Sequence, residues 1–81
     1  MWRELGEAYF LNKDYEKAVE FLAENVKYDP SNIAIRYLLG RAFMSMKKYK
    51  EAVDEFEAVL AVNPIYENAS VLRKTCFDKI K

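Results

Sequence analysis

Trp2-x-x-Leu5-Gly6-x-x-Tyr9 returns as Arg36-x-x-Leu39-Gly40-x-x-Phe43, each position displaced by 34 residues. The same step relates Tyr15 to Tyr49, Ala18 to Ala52, Val19 to Val53, Leu22 to Phe56 and Pro30 to Pro64. Two consecutive copies of one unit therefore account for most of the 81 residues. Within each copy the apolar residues fall three and four apart, the spacing of an amphipathic helix. In the first copy Trp2, Leu5, Ala8 and Tyr9 form one such stripe. After a polar break at Asn12-Lys13-Asp14, Tyr15, Ala18, Val19, Leu22 and Val26 form another. Each unit reads as two helices, A then B, folded back on one another.

This pattern resembles the tetratricopeptide repeat (TPR), a unit of 34 residues with Trp, Leu-Gly, Tyr, Ala, Phe and Pro at characteristic offsets. The resemblance implies an all-α fold: a right-handed superhelical array of antiparallel helix pairs, an α-α solenoid, here with five helices. On that reading residues 1–81 are a single TPR domain, with repeat one at 1–32, repeat two at 33–66 and a C-terminal capping helix at 67–81. The first A helix starts about two residues late relative to the family pattern. No Ser, Thr, Asp or Asn precedes Trp2 as a cap, as expected of a segment cut from a longer array.

Gly6 in a helix interior costs about 1 kcal/mol relative to Ala, so a close helix approach is expected there. Ala18 is the small residue predicted to meet it, and Gly40 with Ala52 repeats the arrangement. Asp14 is positioned to cap the first B helix, which ends near Lys27. Asp29-Pro30-Ser31-Asn32 then breaks the chain, Ser31 or Asn32 capping a second A helix from Ile33 to Met46. The turn Met46-Lys47-Lys48 has no carboxylate, so the second B helix, Tyr49 to Val62, is expected to fray more at its start.

A fifth helix is predicted from about Tyr66 to Ile80. There the 34-residue step puts Arg73 in register with Leu39 and Lys74 with Gly40. A lysine at the close-approach position cannot accept a further B helix, so this helix reads as a solvating cap. Ala69, Leu72, Cys76 and Ile80 are expected to pack back on the preceding hairpin. At the front, Glu4 and Asn12 stand where repeat two has Leu38 and Met46, an edge that tolerates water.

Thirteen basic and 13 acidic residues leave no net charge, which argues against electrostatic binding to nucleic acid or anionic membrane. Lys47-Lys48-Tyr49-Lys50 reads as a solvated turn. The longest charge-free run, Ala58 to Tyr66, has nine residues. A membrane helix needs roughly 18. No export signal is visible, and the lone Cys76 cannot form an internal disulfide, so a cytoplasmic location is expected. Cys76 shares its helical phase with Leu72 and Ile80 and reads as a small buried residue.

There is no histidine and no serine in a nucleophile context, so the chain does not read as an enzyme, and neither cofactor nor metal is expected. The acids Glu4 and Glu7, and Asp54, Glu55 and Glu57, read as solvated helix faces. In arrays of the family it resembles, successive A helices line a concave groove that takes a peptide or a partner helix. Helical phase puts Arg3, Glu7 and Phe10 there from the first A helix. Ala34, Tyr37, Arg41 and Met44 follow from the second, and Asn68, Val71, Thr75 and Asp78 from the capping helix. Tyr37, Phe10 and Met44 offer an apolar platform and Arg3 and Arg41 donors for carboxylates, which suits a ligand with a hydrophobic anchor and an acid. The alternative is that the three apolar residues only complete the core.

Some family members clamp a chaperone's C-terminal carboxylate with Lys and Asn. Here Arg3 can replace the first Lys, but Glu7 and Leu38 stand where Asn is needed and Asn68 and Leu72 where a third helix needs Lys and Arg, so that activity is not implied. The expected function is a protein-protein interaction module. The alternative is a structural or self-assembling segment of a longer array, with weak self-association.

Overall fold

The computed structural model describes residues 2–80, with backbone alone at residues 2 and 3. The chain folds into α1 (Trp2–Leu11), α2 (Tyr15–Tyr28), α3 (Ile33–Ser45), α4 (Tyr49–Val62) and α5 (Ala69–Ile80). Each helix packs on the next, and α1 also touches α3. None of the described helices is long and apolar enough to cross a membrane.

The core lies mainly between successive hairpins. Ala18 and Leu22 of α2 are buried with Ile35, Leu39 and Ala42 of α3. One repeat later Ala52, Val53, Phe56 and Val59 of α4 are buried with Ala69 and Cys76 of α5. The B helix of each unit is thus sealed by the A helix of the next. Leu5 shows the converse: it is 45% exposed, whereas its counterpart Leu39 is 3% exposed. Leu39 rests on α2, and among the described elements no helix lies in front of α1 to do the same for Leu5.

Both glycines mark close approaches, but their partners differ from expectation. A Cβ at Gly6 would lie 2.6 Å from Leu22 Cδ2, and one at Gly40 would lie 2.7 Å from Phe56 Cε1. The vacated space is filled by a large side chain one helical turn beyond Ala18 and Ala52.

The two A-to-B turns are the same structure. Lys13 N–H donates to Phe10 O at 3.0 Å and Asp14 N–H to Tyr9 O at 2.8 Å. Lys47 N–H donates to Met44 O, and Lys48 N–H to Phe43 O, both at 2.9 Å. These paired bonds close a helix end whose following residue takes a left-handed conformation, usually a glycine. Here lysines occupy it, Lys13 at φ 64° and Lys47 at φ 63°. Asp14 makes no side-chain cap bond, and neither does Lys48, so the cap expected at the first B-helix start is absent. The turns are fixed by the preceding helix end instead. Asn32 does cap α3, its Oδ1 accepting from Ile35 N–H at 3.4 Å.

α5 begins at Ala69, later than expected, because Asn63 to Asn68 form turns. Tyr66 N–H donates to Asn63 O and Ala69 N–H to Tyr66 O, both at 3.1 Å, with Glu67 at φ 44°. Ala69 and Cys76 are buried and Leu72 packs beside them, but Ile80 is 39% exposed at the end of its helix. Two acids read as solvated are cross-links. Glu55 accepts from Arg36 at 3.2 Å, and Glu57 Oε2 accepts two bonds from Arg73, at 3.1 and 3.0 Å.

Candidate functional site

Arg41 is the residue shared by three hollows on the surface. It is exposed on α3, with its guanidinium carbon 5.1 Å from the Phe10 ring centre and 5.8 Å from that of Tyr37. Such contacts contribute roughly 0.5–1 kcal/mol at exposed positions and bias the group toward the rings. The row extends both ways. Phe10 meets Tyr15 edge-on at 5.5 Å, and Tyr37 meets Tyr66 edge-on at 5.4 Å. Tyr37 also contacts the buried Phe56 at 6.0 Å, so this half-buried ring both completes the core and lines a surface hollow.

Three hollows border Arg41. The first, about 340 Å³, is lined by Phe10, Leu11, Lys13, Tyr15, Arg41, Met44, Ser45 and Leu72. The second, about 450 Å³, is lined by Tyr37, Arg41, Tyr66, Glu67, Asn68 and Leu72. Arg41 and Leu72 belong to both, so the two adjoin across that ridge. A smaller hollow of about 160 Å³ brings Glu7, Phe10, Leu11 and Leu38 around Arg41.

The structure thus brings Glu7, Phe10, Tyr37 and Met44 into hollows shared with Arg41. The side chain of Arg3 lies outside the described residues. On α5, Val71, Thr75 and Asp78 line none of these three hollows. Thr75 Oγ1 donates to Val71 O of its own helix at 3.0 Å, and Val71 and Asp78 are exposed. Asn68, expected on the same strip, does line the second hollow, and Leu72, read as a core residue, lines the first two. Sequence reasoning missed Lys13, Tyr15 and Ser45, which come from turn and helix ends where helical phase carries no information. It also missed Tyr66 and Glu67 before α5.

The site offers rings, hydrogen-bond donors and charge. Among the described residues no group of three or more His, Cys, Asp or Glu is placed to hold a metal. Cys76 is buried away from the hollows, and burial pushes its thiol pKa up, the opposite of an activated nucleophile.

The 34-residue period, the paired helices and the glycine-large residue contacts can be compared with known proteins. The family described as "Anaphase-promoting complex, cyclosome, subunit 3" matches residues 1–59. The chain belongs to this tetratricopeptide-repeat family. As a TPR chain it is 36% identical over 66 residues to the anaphase-promoting complex subunit CDC16 of Saccharomyces cerevisiae, covering 82% of this chain and 7% of that protein. It is 32% identical over 65 residues to the tetratricopeptide repeat and J domain-containing co-chaperone DNJ1 of Cryptococcus neoformans, covering 74% of this chain and 12% of the relative. The small glutamine-rich tetratricopeptide repeat-containing protein 2 of Saccharomyces cerevisiae is 33% identical over 61 residues, 75% of this chain and 18% of that protein. The TPR segment spans less than a fifth of each of these relatives. Such homologues imply a protein-interaction or scaffold role for the repeats.

Proposed function

We propose that this chain binds an extended peptide or a partner helix along the row Phe10, Arg41, Tyr37, and that it has no catalytic role. The observation that carries this reading is the exposed Arg41 held between two half-buried rings. Among the described residues no carboxylate forms an ion pair with it. A guanidinium restrained in this way presents donors to solvent with less orientational entropy to lose on binding. The relatives named as a complex subunit and as a co-chaperone are consistent with a partner that is a protein. A free, buried Cys76 fits a reducing, cytoplasmic setting.

Affinity capture from native cell extract tests this reading. The intact chain is compared with Arg41→Glu and with Tyr37→Ala/Arg41→Glu, each first shown to be folded by circular dichroism. Partners retained by the intact chain and lost with both variants are expected. If the same partners are retained throughout, the groove is not where they bind.

The exposed front of α1 favours a second reading, a structural or self-associating segment of a larger array. Leu5 is 45% and Leu11 79% exposed beside exposed Ala8. On that reading the weight-average mass rises with concentration in sedimentation experiments and Leu5→Lys/Leu11→Lys abolishes the rise. A monomer at all concentrations counts against self-association.

A further inference from the structure

We infer that the hollow between the α1–α2 turn and α3 selects a peptide segment in which a carboxylate side chain lies beside a bulky apolar one. In this arrangement Arg41 and Lys13 hold the acid. The inference rests on peptide binding in the groove and names the chemistry the groove selects.

The lining itself makes the argument. Phe10, Leu11, Tyr15, Met44 and Leu72 supply apolar walls, Arg41 and Lys13 are its charged groups, and no acid lines it. The whole chain has no net charge, so a hollow with two cations and no acid is a local feature. Neither cation forms an ion pair among the described residues, whereas Arg36 and Arg73 each have a glutamate partner.

Both cations are also positioned. The Arg41 guanidinium carbon lies 5.1 and 5.8 Å from two ring centres, and Lys13 leaves the backbone from a turn fixed by bonds of 3.0 and 2.8 Å. At about 340 Å³ the space is at the small end of ligand-sized hollows, enough for one or two side chains. Apolar walls beside fixed donors favour a ligand that brings a hydrophobic body and a carboxylate together, because a bidentate contact to the acid then forms in partly dry surroundings.

The adjoining hollow gives the ligand a direction. Glu67 stands there in place of Lys13, beside the shared Arg41, with Asn68, Tyr37 and Tyr66 as hydrogen-bonding neighbours. A second acid is disfavoured on that side, and peptide amides or a basic residue are accepted. The acidic end of the ligand therefore lies toward Lys13, and the chain continues over Arg41 and Leu72 toward Asn68. A nucleic-acid backbone is a poor match: tight binding of a phosphate chain needs many cations, and here an acid follows the first two.

The test uses the full 81-residue chain and two labelled peptides of glycine and serine. One carries a central phenylalanine flanked by glutamates, the other the same phenylalanine flanked by glutamines. Binding is read by fluorescence anisotropy and localised by amide chemical shifts in 1H–15N spectra, with peptide up to millimolar concentration. The glutamate peptide is expected to bind about tenfold more tightly, with shifts centred on Phe10, Arg41, Met44 and Leu72. Arg41→Gln and Lys13→Gln, both at exposed positions and checked as folded by their spectra, are expected to remove most of that advantage. Equal binding of the two peptides in the hollow overturns the acid selection while leaving groove binding intact. Shifts confined to the Tyr66 and Asn68 side, or no binding of either peptide, also overturn the inference, and the capture experiment then decides groove binding separately.

Discussion

A methyl group added at Gly40 would stand 2.7 Å from Phe56 Cε1 and 3.0 Å from Cζ, and that ring is fully buried. Helix propensity favours alanine by about 1 kcal/mol. Overpacking a closed core costs about 1–3 kcal/mol. The ring has no solvent to retreat into, so Gly40→Ala is expected to lower the urea midpoint; an unchanged or higher midpoint would show that α4 can slide away. At Lys47 the argument reverses. A lysine at φ 63° carries left-handed strain that glycine lacks, so Lys47→Gly is expected to stabilise by up to about 1 kcal/mol. A decrease in midpoint would mean that the lysine side chain contributes more than its backbone costs. The glycine positions were legible as close approaches because they recur. Their partners were not, because small-meets-small is a rule about backbones, and here Leu22 and Phe56 occupy the space.

α4 is held to its neighbours by acids on two sides, Glu55 to Arg36 of α3 and Glu57 to Arg73 of α5. The second pair is more exposed and contributes about 0–1 kcal/mol. The first is half-buried, and Arg36 Nε also donates to Pro30 O at 2.9 Å, joining the inter-repeat turn to both helices. Burial raises the Glu55 pKa above 4.5, with Arg36 opposing it. A raised carboxyl pKa means the folded chain holds more protons than the unfolded one just above that value. This contribution to stability is therefore full at lower pH and is lost as pH rises through the folded pKa. Relative to Glu55→Gln, the native chain should lose stability between pH 4.5 and neutrality, and Arg36→Met should steepen the loss. Urea midpoints across that range check it, and a relative gain toward neutrality would reverse the sign of the argument. Helix identities and most boundaries were readable from period and turn residues. These cross-links were not, since Arg36 and Glu55 are 19 residues apart and periodicity says only that each lies off the apolar stripe.

Across the whole molecule, burial against α4 makes α5 part of the core. Ala69, Leu72 and Cys76 cover Phe56 and Val59. A domain of this size has about 5 kcal/mol of stability to lose. Exposing two such residues costs several. Removing residues 67–81 should therefore abolish cooperative thermal unfolding followed by circular dichroism; a retained sharp transition would make α5 an accessory. Taken by itself, the sequence determined the repeat, the helix count and order, the inward phase of Cys76 and the presence of Tyr37 and Arg41 on one strip, because each follows from a fixed period along one helix. Only the tertiary structure decided that Lys13, Tyr15 and Leu72 meet Arg41 around one hollow, and that Val71, Thr75 and Asp78 do not. Those residues belong to different helices and turns, and their meeting depends on where α5 starts and how the hairpins stack, which no periodicity within a single helix encodes.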